Sequence, residues 1–168
     1  MNLKKHMTKY GMQTVLHLTS FFARRERLTF INKRLLGAAA KFVVKKSTLS
    51  HPQNLAELGR SWQNAFPSPK QVPLVNITED TVYAEIRTPC PLRETGDLNA
   101  CYRMMEFDRS YLSFFDGELI VLRSQAEKGV NVCEIAIQFN NTSNPTQLVH
   151  AHQRSDLKLR GNLANESC

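Results

Sequence analysis

Hydrophobic and polar positions change their period about halfway along the chain. In residues 3–22, and again in residues 31–45, apolar side chains recur three or four positions apart, the spacing of an amphipathic helix. A shorter helix is predicted near residues 54–65, and three prolines between positions 67 and 73 then predict a loop. Residues 1–70 are therefore expected to be mainly helical.

The second of these helices carries the clearest apolar stripe. Lysine and arginine side chains lie mostly off it, so we expect the stripe to pack on the rest of the domain. The stripe consists of Ile31, Leu35, Ala38, Ala39, Phe42 and Val43.

The second half of the chain alternates with a period of two, which is typical of half-buried strands. Strands are predicted at residues 82–86, 119–124 and 133–139, with a helix from about residue 97 to 115. This strand-helix-strand-strand unit, residues 80–139, predicts an α+β fold in which helices cover one face of an antiparallel sheet. We assign residues 1–142 to a single domain and residues 143–168 to a flexible polar tail, in which His150 and His152 are solvated.

Positive charge is concentrated at the N-terminal end. Residues 1–46 contain eleven lysines and arginines against one acid, a net charge of +10, and the remaining residues carry a net −3. This asymmetry predicts weak, salt-dependent contact with polyanions through residues 1–46. No apolar run approaches the roughly 20 residues that a membrane span requires. A homodimer is compatible with the sequence.

The cysteines favour reduced thiols over a disulfide framework. Three of the four lie far apart in the chain, at Cys90, Cys101 and Cys133, and none belongs to a CxxC pair. Cys168 ends the polar tail. This usage is typical of a cytoplasmic protein.

Three thiols and one carboxylate are predicted to face a common interior. By alternation, Cys90 ends the inward face of the first strand and Cys133 begins that of the last. In the helix between them, Cys101, Met105 and Asp108 share one face. A carboxylate on a core-facing stripe must be paired, or its pKa must rise to a range that suits proton transfer.

The residues alone leave three interpretations of this cluster open. Thiolates, with or without Asp108, form a soft metal site. Alternatively, one thiol is a nucleophile and Asp108 moves protons. In the third interpretation the cysteines act as small buried hydrophobes, and Asp108 pairs with Arg103 or Arg109.

The runs CPLRETGDLNACYRMMEFD and ELIVLRSQAEKGVNVCEIAIQF resemble the L-2-amino-thiazoline-4-carboxylic acid hydrolase family. The matching positions are Cys90, Cys101, Asp108, Gly129 and Cys133, within residues 80–139. The same segment is more distantly similar to the 4-vinyl reductase ligand-binding domains. The family pattern has an acid directly after the glycine, where this chain has valine.

The resemblance implies a cofactor-independent hydrolase that opens a cyclic C–N or C–S bond, with Cys90, Cys101, Asp108 and Cys133 as catalytic residues. The alternative is a non-catalytic sensor module that binds a small molecule among the same residues. Zinc-binding relatives of the sensor type carry a further cysteine near the position of Gln125, so we expect no bound metal. Either way, the expected partner is a small molecule.

Overall fold

The structure, a computed structural model, describes residues 14–46, 51–141 and 145–154. Two short 3-10 turns, Glu26–Leu28 and Pro69–Gln71, connect larger elements. The helices are α1 (residues 14–23), α2 (Thr29–Lys46), α3 (Leu55–Asn64), α4 (Leu98–Met104) and α5 (Glu106–Ser113). The strands are β1 (Leu74–Ile77), β2 (Val82–Ile86), β3 (Gly117–Arg123) and β4 (Cys133–Phe139). The helix predicted over residues 3–22 lies partly outside the described residues, because residues 1–13 are not among them.

The four strands form one antiparallel sheet in the order β1-β2-β4-β3. Ile137 of β4 lies between Val82 of β2 and Leu119 of β3, and all three side chains are fully buried. The helices pack on that face, where Trp62, Tyr111 and ten or more smaller side chains complete the main core. The predicted α+β class and the helical N-terminal half are confirmed.

Helix α3 begins where its sequence predicts. Asn54 accepts a hydrogen bond from the backbone N–H of Glu57, whose carboxylate accepts in return from the backbone N–H of Gln53. This arrangement closely follows a capping box, and it satisfies donors that the first helical turn otherwise leaves free. Four positions apart on one face, Leu58 and Trp62 are fully buried.

Two predicted elements differ from the observed ones. The proline-rich loop contains an additional strand, β1, whose largely exposed residues give no alternating pattern. The predicted helix over residues 97–115 is two helices, because the backbone leaves helical geometry at Met105 (φ −78°, ψ 14°).

Only part of the stripe assigned to the buried face of α2 is buried: Val43 packs against the main core, whereas most of the other members are exposed. Leu35 is 57% exposed and Phe42 is 67% exposed. Instead, α2 buries Asn32 and Ala40, and packs mainly on α5. Small residues on this buried face allow the close approach, and the exposed part of the stripe, Ile31, Leu35, Ala38 and Phe42, points away from the domain.

Residues 145–154, which the sequence analysis assigned to a flexible tail, lie against the sheet. The backbone N–H and the hydroxyl of Thr146 donate to the Asp80 carboxylate, each at 2.6 Å. His150 accepts a hydrogen bond from the backbone N–H of Val121 at 3.3 Å, and Arg154 donates to the carbonyl of Leu122. We call residues 145–154 the strap. Within the described ranges, no helix is both long and apolar enough to cross a bilayer.

Candidate functional site

A cavity of about 380 Å³ lies between the helical layer and one end of the sheet. All four predicted site residues line it: Cys90, Cys101, Asp108 and Cys133. The rest of its wall is mostly apolar and comes from α1, α2, the end of α3 and the α4–α5 joint. Its larger apolar members are Leu16, Leu36, Phe66, Ile86, Met104, Met105 and Phe107.

The secondary structure explains how distant cysteines reach one cavity. Cys133 opens β4 directly opposite Ile86, the last residue of β2, and Cys90 follows β2 by four positions. Cys101 comes from the middle of α4, which packs above this end of the sheet. Cys101 and Cys133 are each 5% exposed, whereas Cys90 is partly buried. The alternation in the sequence therefore placed Cys133 correctly, whereas Cys90 reaches the cavity from the irregular segment after β2, where the alternation has ended.

Each sulfur accepts a hydrogen bond from a neighbouring group. The Ser124 hydroxyl donates to Cys101 at 3.0 Å, and the backbone N–H of Gln125 donates to Cys133 at 3.3 Å. The backbone N–H of Leu92 donates to Cys90 at 3.4 Å. Two of these donors belong to the loop after β3, which the sequence did not mark as part of the site.

Burial keeps the thiols protonated. It raises the pKa of Cys101 to about 12 and that of Cys133 to about 11, and it also raises the pKa of Cys90. The donated hydrogen bonds lower the pKa of each thiol, but desolvation outweighs them. Because the thiolate is the nucleophile and the metal ligand, these cysteines are poorly activated for either role near neutral pH.

Asp108 lies in the first turn of α5 and is 7% exposed. Its Oδ1 accepts a hydrogen bond from the indole N–H of Trp62 at 2.9 Å. Desolvation raises the pKa of this carboxyl to about 6, and the Trp62 hydrogen bond only partly offsets the rise. Trp62 was missed as a site residue, although it is the only tryptophan and lies on the apolar face of its helix.

The structure does not show the pairing of Asp108 with Arg103 or Arg109 that the third interpretation of the cluster required. Arg109 instead bonds Glu106 at 2.7 Å and the carbonyl of Tyr102 at 2.6 Å. Arg103 donates to the carbonyl of Ala23 in α1. Asp108 is thus a buried carboxylate with no ion pair among the described residues.

Gln125 ties together the two loops at the end of the sheet. Its amide NH₂ donates to the carbonyls of Ile86 at 3.2 Å and Thr88 at 2.9 Å, and its carbonyl accepts from the backbone N–H of Cys90 at 3.1 Å. Arg93 donates to the same carbonyl at 2.9 Å. The side chain at the expected position of a further cysteine is therefore fully engaged in holding Cys90 in place.

The turn before β4 follows the spacing that suggested the resemblance. Gly129 has a positive φ of 75°, which glycine adopts without strain. Val130, at the position where the family carries an acid, is buried. This apolar side chain cannot replace the proton-transfer or ligand chemistry of a carboxylate.

His150 is not solvated as the sequence suggested. It packs edge-on against Tyr102, and burial lowers the pKa of its imidazole to about 4, so it accepts the Val121 hydrogen bond as the neutral ring. His152 is tilted over the same Tyr102 ring.

In the part of the chain that the structure describes, no group of three or more His, Cys, Asp or Glu side chains is arranged to hold a metal ion. No protein-family model matches the chain, and no curated protein is detectably similar to it. The similarity to the thiazoline hydrolases and vinyl reductase domains thus depends on the spacing of Cys90, Cys101, Asp108, Gly129 and Cys133 alone.

Proposed function

We propose that the protein binds a small, largely apolar molecule that carries a cationic nitrogen or a strong hydrogen-bond donor. One observation carries this proposal: Asp108 is the only charged side chain among the described residues that line the cavity. A buried carboxylate without a cation is costly, and a ligand that supplies the missing donor recovers that cost. The volume of about 380 Å³ lies within the range of ordinary small-molecule sites.

The three thiols support binding more than covalent chemistry. With pKa values raised by burial, they present neutral, polarizable surfaces to a ligand. The Trp62 hydrogen bond and the apolar walls hold Asp108 in one orientation, so the ligand meets a site that is already formed. This is the non-catalytic sensor function, the alternative to the hydrolase.

A thermal-shift screen with paired ligands tests this proposal. Apolar primary amines are compared with the corresponding alcohols, and we expect the amines to raise the melting temperature of the wild-type protein in proportion to their occupancy. Asp108→Asn should remove the preference for the amine while the cavity keeps its shape. Equal shifts for amine and alcohol in the wild type would contradict the proposed role of Asp108.

Substitutions at the rim identify the cavity as the binding place. Ala39 is exposed and lines the cavity, so Ala39→Trp should block its mouth and abolish the thermal shift. Ala38 is exposed too but is not a lining residue, and Ala38→Trp is the matched control. If both variants still bind, the ligand occupies another site.

A second candidate is the hydrolase that the resemblance implies. The pKa of Asp108, at about 6, suits a group that takes a proton from water and returns it to a leaving sulfur or nitrogen. In this hydrolytic mechanism a water molecule, and not a cysteine, attacks the electrophilic carbon of the substrate ring, because the thiols remain protonated.

Incubation of the purified protein with L-2-amino-thiazoline-4-carboxylic acid tests the hydrolase. We expect ring opening that rises with pH through about 6 and is lost in Asp108→Asn. Cys101→Ala should weaken turnover through lost contacts with the substrate. Ligand-induced stabilisation without turnover favours the binding module instead.

A further inference from the structure

We propose that α1 and α2 form a docking surface for anionic lipid bilayers. Seven of the eleven large hydrophobic side chains that are exposed in the described part of the chain belong to these two helices. They are Val15, Leu18, Phe21, Phe30, Ile31, Leu35 and Phe42. Exposed apolar side chains scattered singly are ordinary, but a concentration on two adjoining helices marks an interaction surface.

The apolar residues of α2 form a stripe along the helix. Ile31, Leu35, Ala38 and Phe42 follow at intervals of four, three and four residues, so they share one face, and all four are exposed. On the opposite face, Asn32 and Ala40 are buried against the domain. The helix therefore presents its apolar side outward, which costs free energy in water and is recovered at a lipid interface.

Basic side chains accompany this apolar surface. Described residues 14–46 contain eight lysines and arginines against one acid. The guanidinium of Arg25 lies 3.7 Å from the centre of the Phe21 ring, and that of Arg34 lies 4.7 Å from the centre of the Phe30 ring. Aromatic rings at the interface with cations beside them match the layered structure of an anionic bilayer.

A groove beside α1 has the composition of a headgroup site. It measures about 430 Å³ and is lined by His17, Ser20, Phe21, Arg24 and Arg25. The two guanidinium groups provide hydrogen-bond donors for phosphate oxygens.

Charge distinguishes a bilayer from a second copy of the chain. A symmetric dimer through this surface places two strongly positive surfaces against each other, which opposes association. Anionic lipid neutralises the same charge at about 1 kcal/mol for each basic residue near the membrane surface. The exposed stripe also makes binding less dependent on salt than the purely electrostatic contact expected from the sequence.

Membrane docking has a consequence for the cavity. Val15 and Ala39 are both exposed and both line it, so the apolar surface is continuous with its mouth. A molecule dissolved in the bilayer therefore reaches the cavity without crossing water. The docking surface itself does not depend on what the cavity binds.

Co-sedimentation with vesicles tests the proposal. Vesicles of phosphatidylcholine alone are compared with vesicles that also contain phosphatidylglycerol, at low salt and at about 0.15 M salt. We expect strong binding only to the anionic vesicles, with a substantial part retained at the higher salt. Binding that disappears at about 0.15 M salt is electrostatic contact alone and overturns the proposal.

Matched double substitutions locate the contact. Leu35→Ser with Phe42→Ser should reduce the partition coefficient by about tenfold or more, since two large apolar groups no longer enter the interface. Val75→Ser with Ile77→Ser changes two residues of β1 that are also exposed, and should leave binding unchanged. Equal effects of the two pairs overturn the proposal.

Charge reversals complete the test. Arg25→Glu with Lys45→Glu should weaken binding strongly, whereas the exposed pair Lys70→Glu with Lys128→Glu changes net charge equally and should weaken it much less.

Sedimentation velocity without lipid tests the other possible occupant of the surface, a second copy of the chain. The proposal is overturned if the wild-type protein is a dimer, if Leu35→Ser with Phe42→Ser dissociates that dimer, and if the protein does not bind vesicles. The surface then serves self-association.

Discussion

The ionisation of Asp108 is coupled to folding. Its pKa of about 6 lies above the ordinary aspartate value of 3.8, so the native state binds a proton more tightly than the unfolded chain. Stability contributed by the protonated carboxyl is complete below pH 3.8 and is lost as pH rises to about 6. Above that range, the buried carboxylate opposes folding by a constant amount.

The difference between wild type and Asp108→Asn should follow this profile. Asparagine keeps an acceptor for Trp62 but does not ionise, so the free energy of unfolding of the variant, relative to that of the wild type, should rise by about 2 kcal/mol between pH 4 and pH 7. Urea unfolding at the two pH values measures the change. A difference that is independent of pH would mean that Asp108 ionises normally in the native protein.

Gln125 should be important for stability because it serves four partners from a fully buried position. Gln125→Ala leaves the carbonyls of Ile86 and Thr88 without their donor, at a cost of about 2–4 kcal/mol in the free energy of unfolding. Gln53→Ala removes an exposed glutamine that donates to one carbonyl, and should change stability by less than about 0.5 kcal/mol. Equal effects in chemical denaturation would show that the loops hold without Gln125.

The positions of the site residues were predictable where they depend on local period. Alternation places Cys133 on the inward face of β4, and helical spacing places Cys101 and Asp108 toward one interior. Their partners were not predictable, because Trp62 and Gln125 reach the site from other elements through tertiary packing. The arginines next to Asp108 in sequence were a poor guide for the same reason.

At the scale of elements, α2 shows the limit of periodicity. The pattern identifies the helix and its apolar side correctly but does not say that this side is buried. The contact with α5 uses the other side, where Gly37 lies close to Ser110. Strand β1 was missed because most of its residues are exposed, so its sequence has no buried alternation to detect.

The strap is held at one end by Asp80. Hydrogen bonds from Thr146 lower the pKa of this carboxyl to about 2, so the contact stabilises the strap above pH 3.8 and weakens as pH falls toward 2. Asp80→Asn should loosen residues 145–154 at neutral pH and accelerate tryptic cleavage after Arg154. Mass spectrometry of limited digests measures the rate.

Asp116→Asn provides the control for the strap. Asp116 is also exposed, and its recorded ion pair is a distant 3.9 Å contact with His51. This variant should be cleaved after Arg154 at the wild-type rate. If Asp80→Asn is cleaved no faster than the control, contacts around His150 alone hold the strap.

The whole molecule should contain far less than stoichiometric zinc after purification. Desolvation favours the protonated thiols, and metal binding must displace those protons. Gln125 is occupied by its four partners and has no thiolate to offer. Elemental analysis before and after treatment with a chelator measures the metal, and about one chelatable zinc per chain would contradict this prediction.

Stability should be distributed unevenly over the molecule, because helices α1 and α3 differ in how much they bury. Over ten described residues, α1 fully buries only Ser20 and Ala23. Over its own ten residues, helix α3 fully buries the large side chains of Leu58 and Trp62. Local opening is easiest where few apolar contacts must be broken.

We therefore expect the amides of α1 to exchange with deuterium at least about ten times faster than those of α3. Hydrogen exchange followed by mass spectrometry measures both helices in one sample, so α3 is the internal control. If α1 is protected as strongly as α3, its exposed apolar side chains must be covered in solution, and the docking surface would then be occupied without lipid.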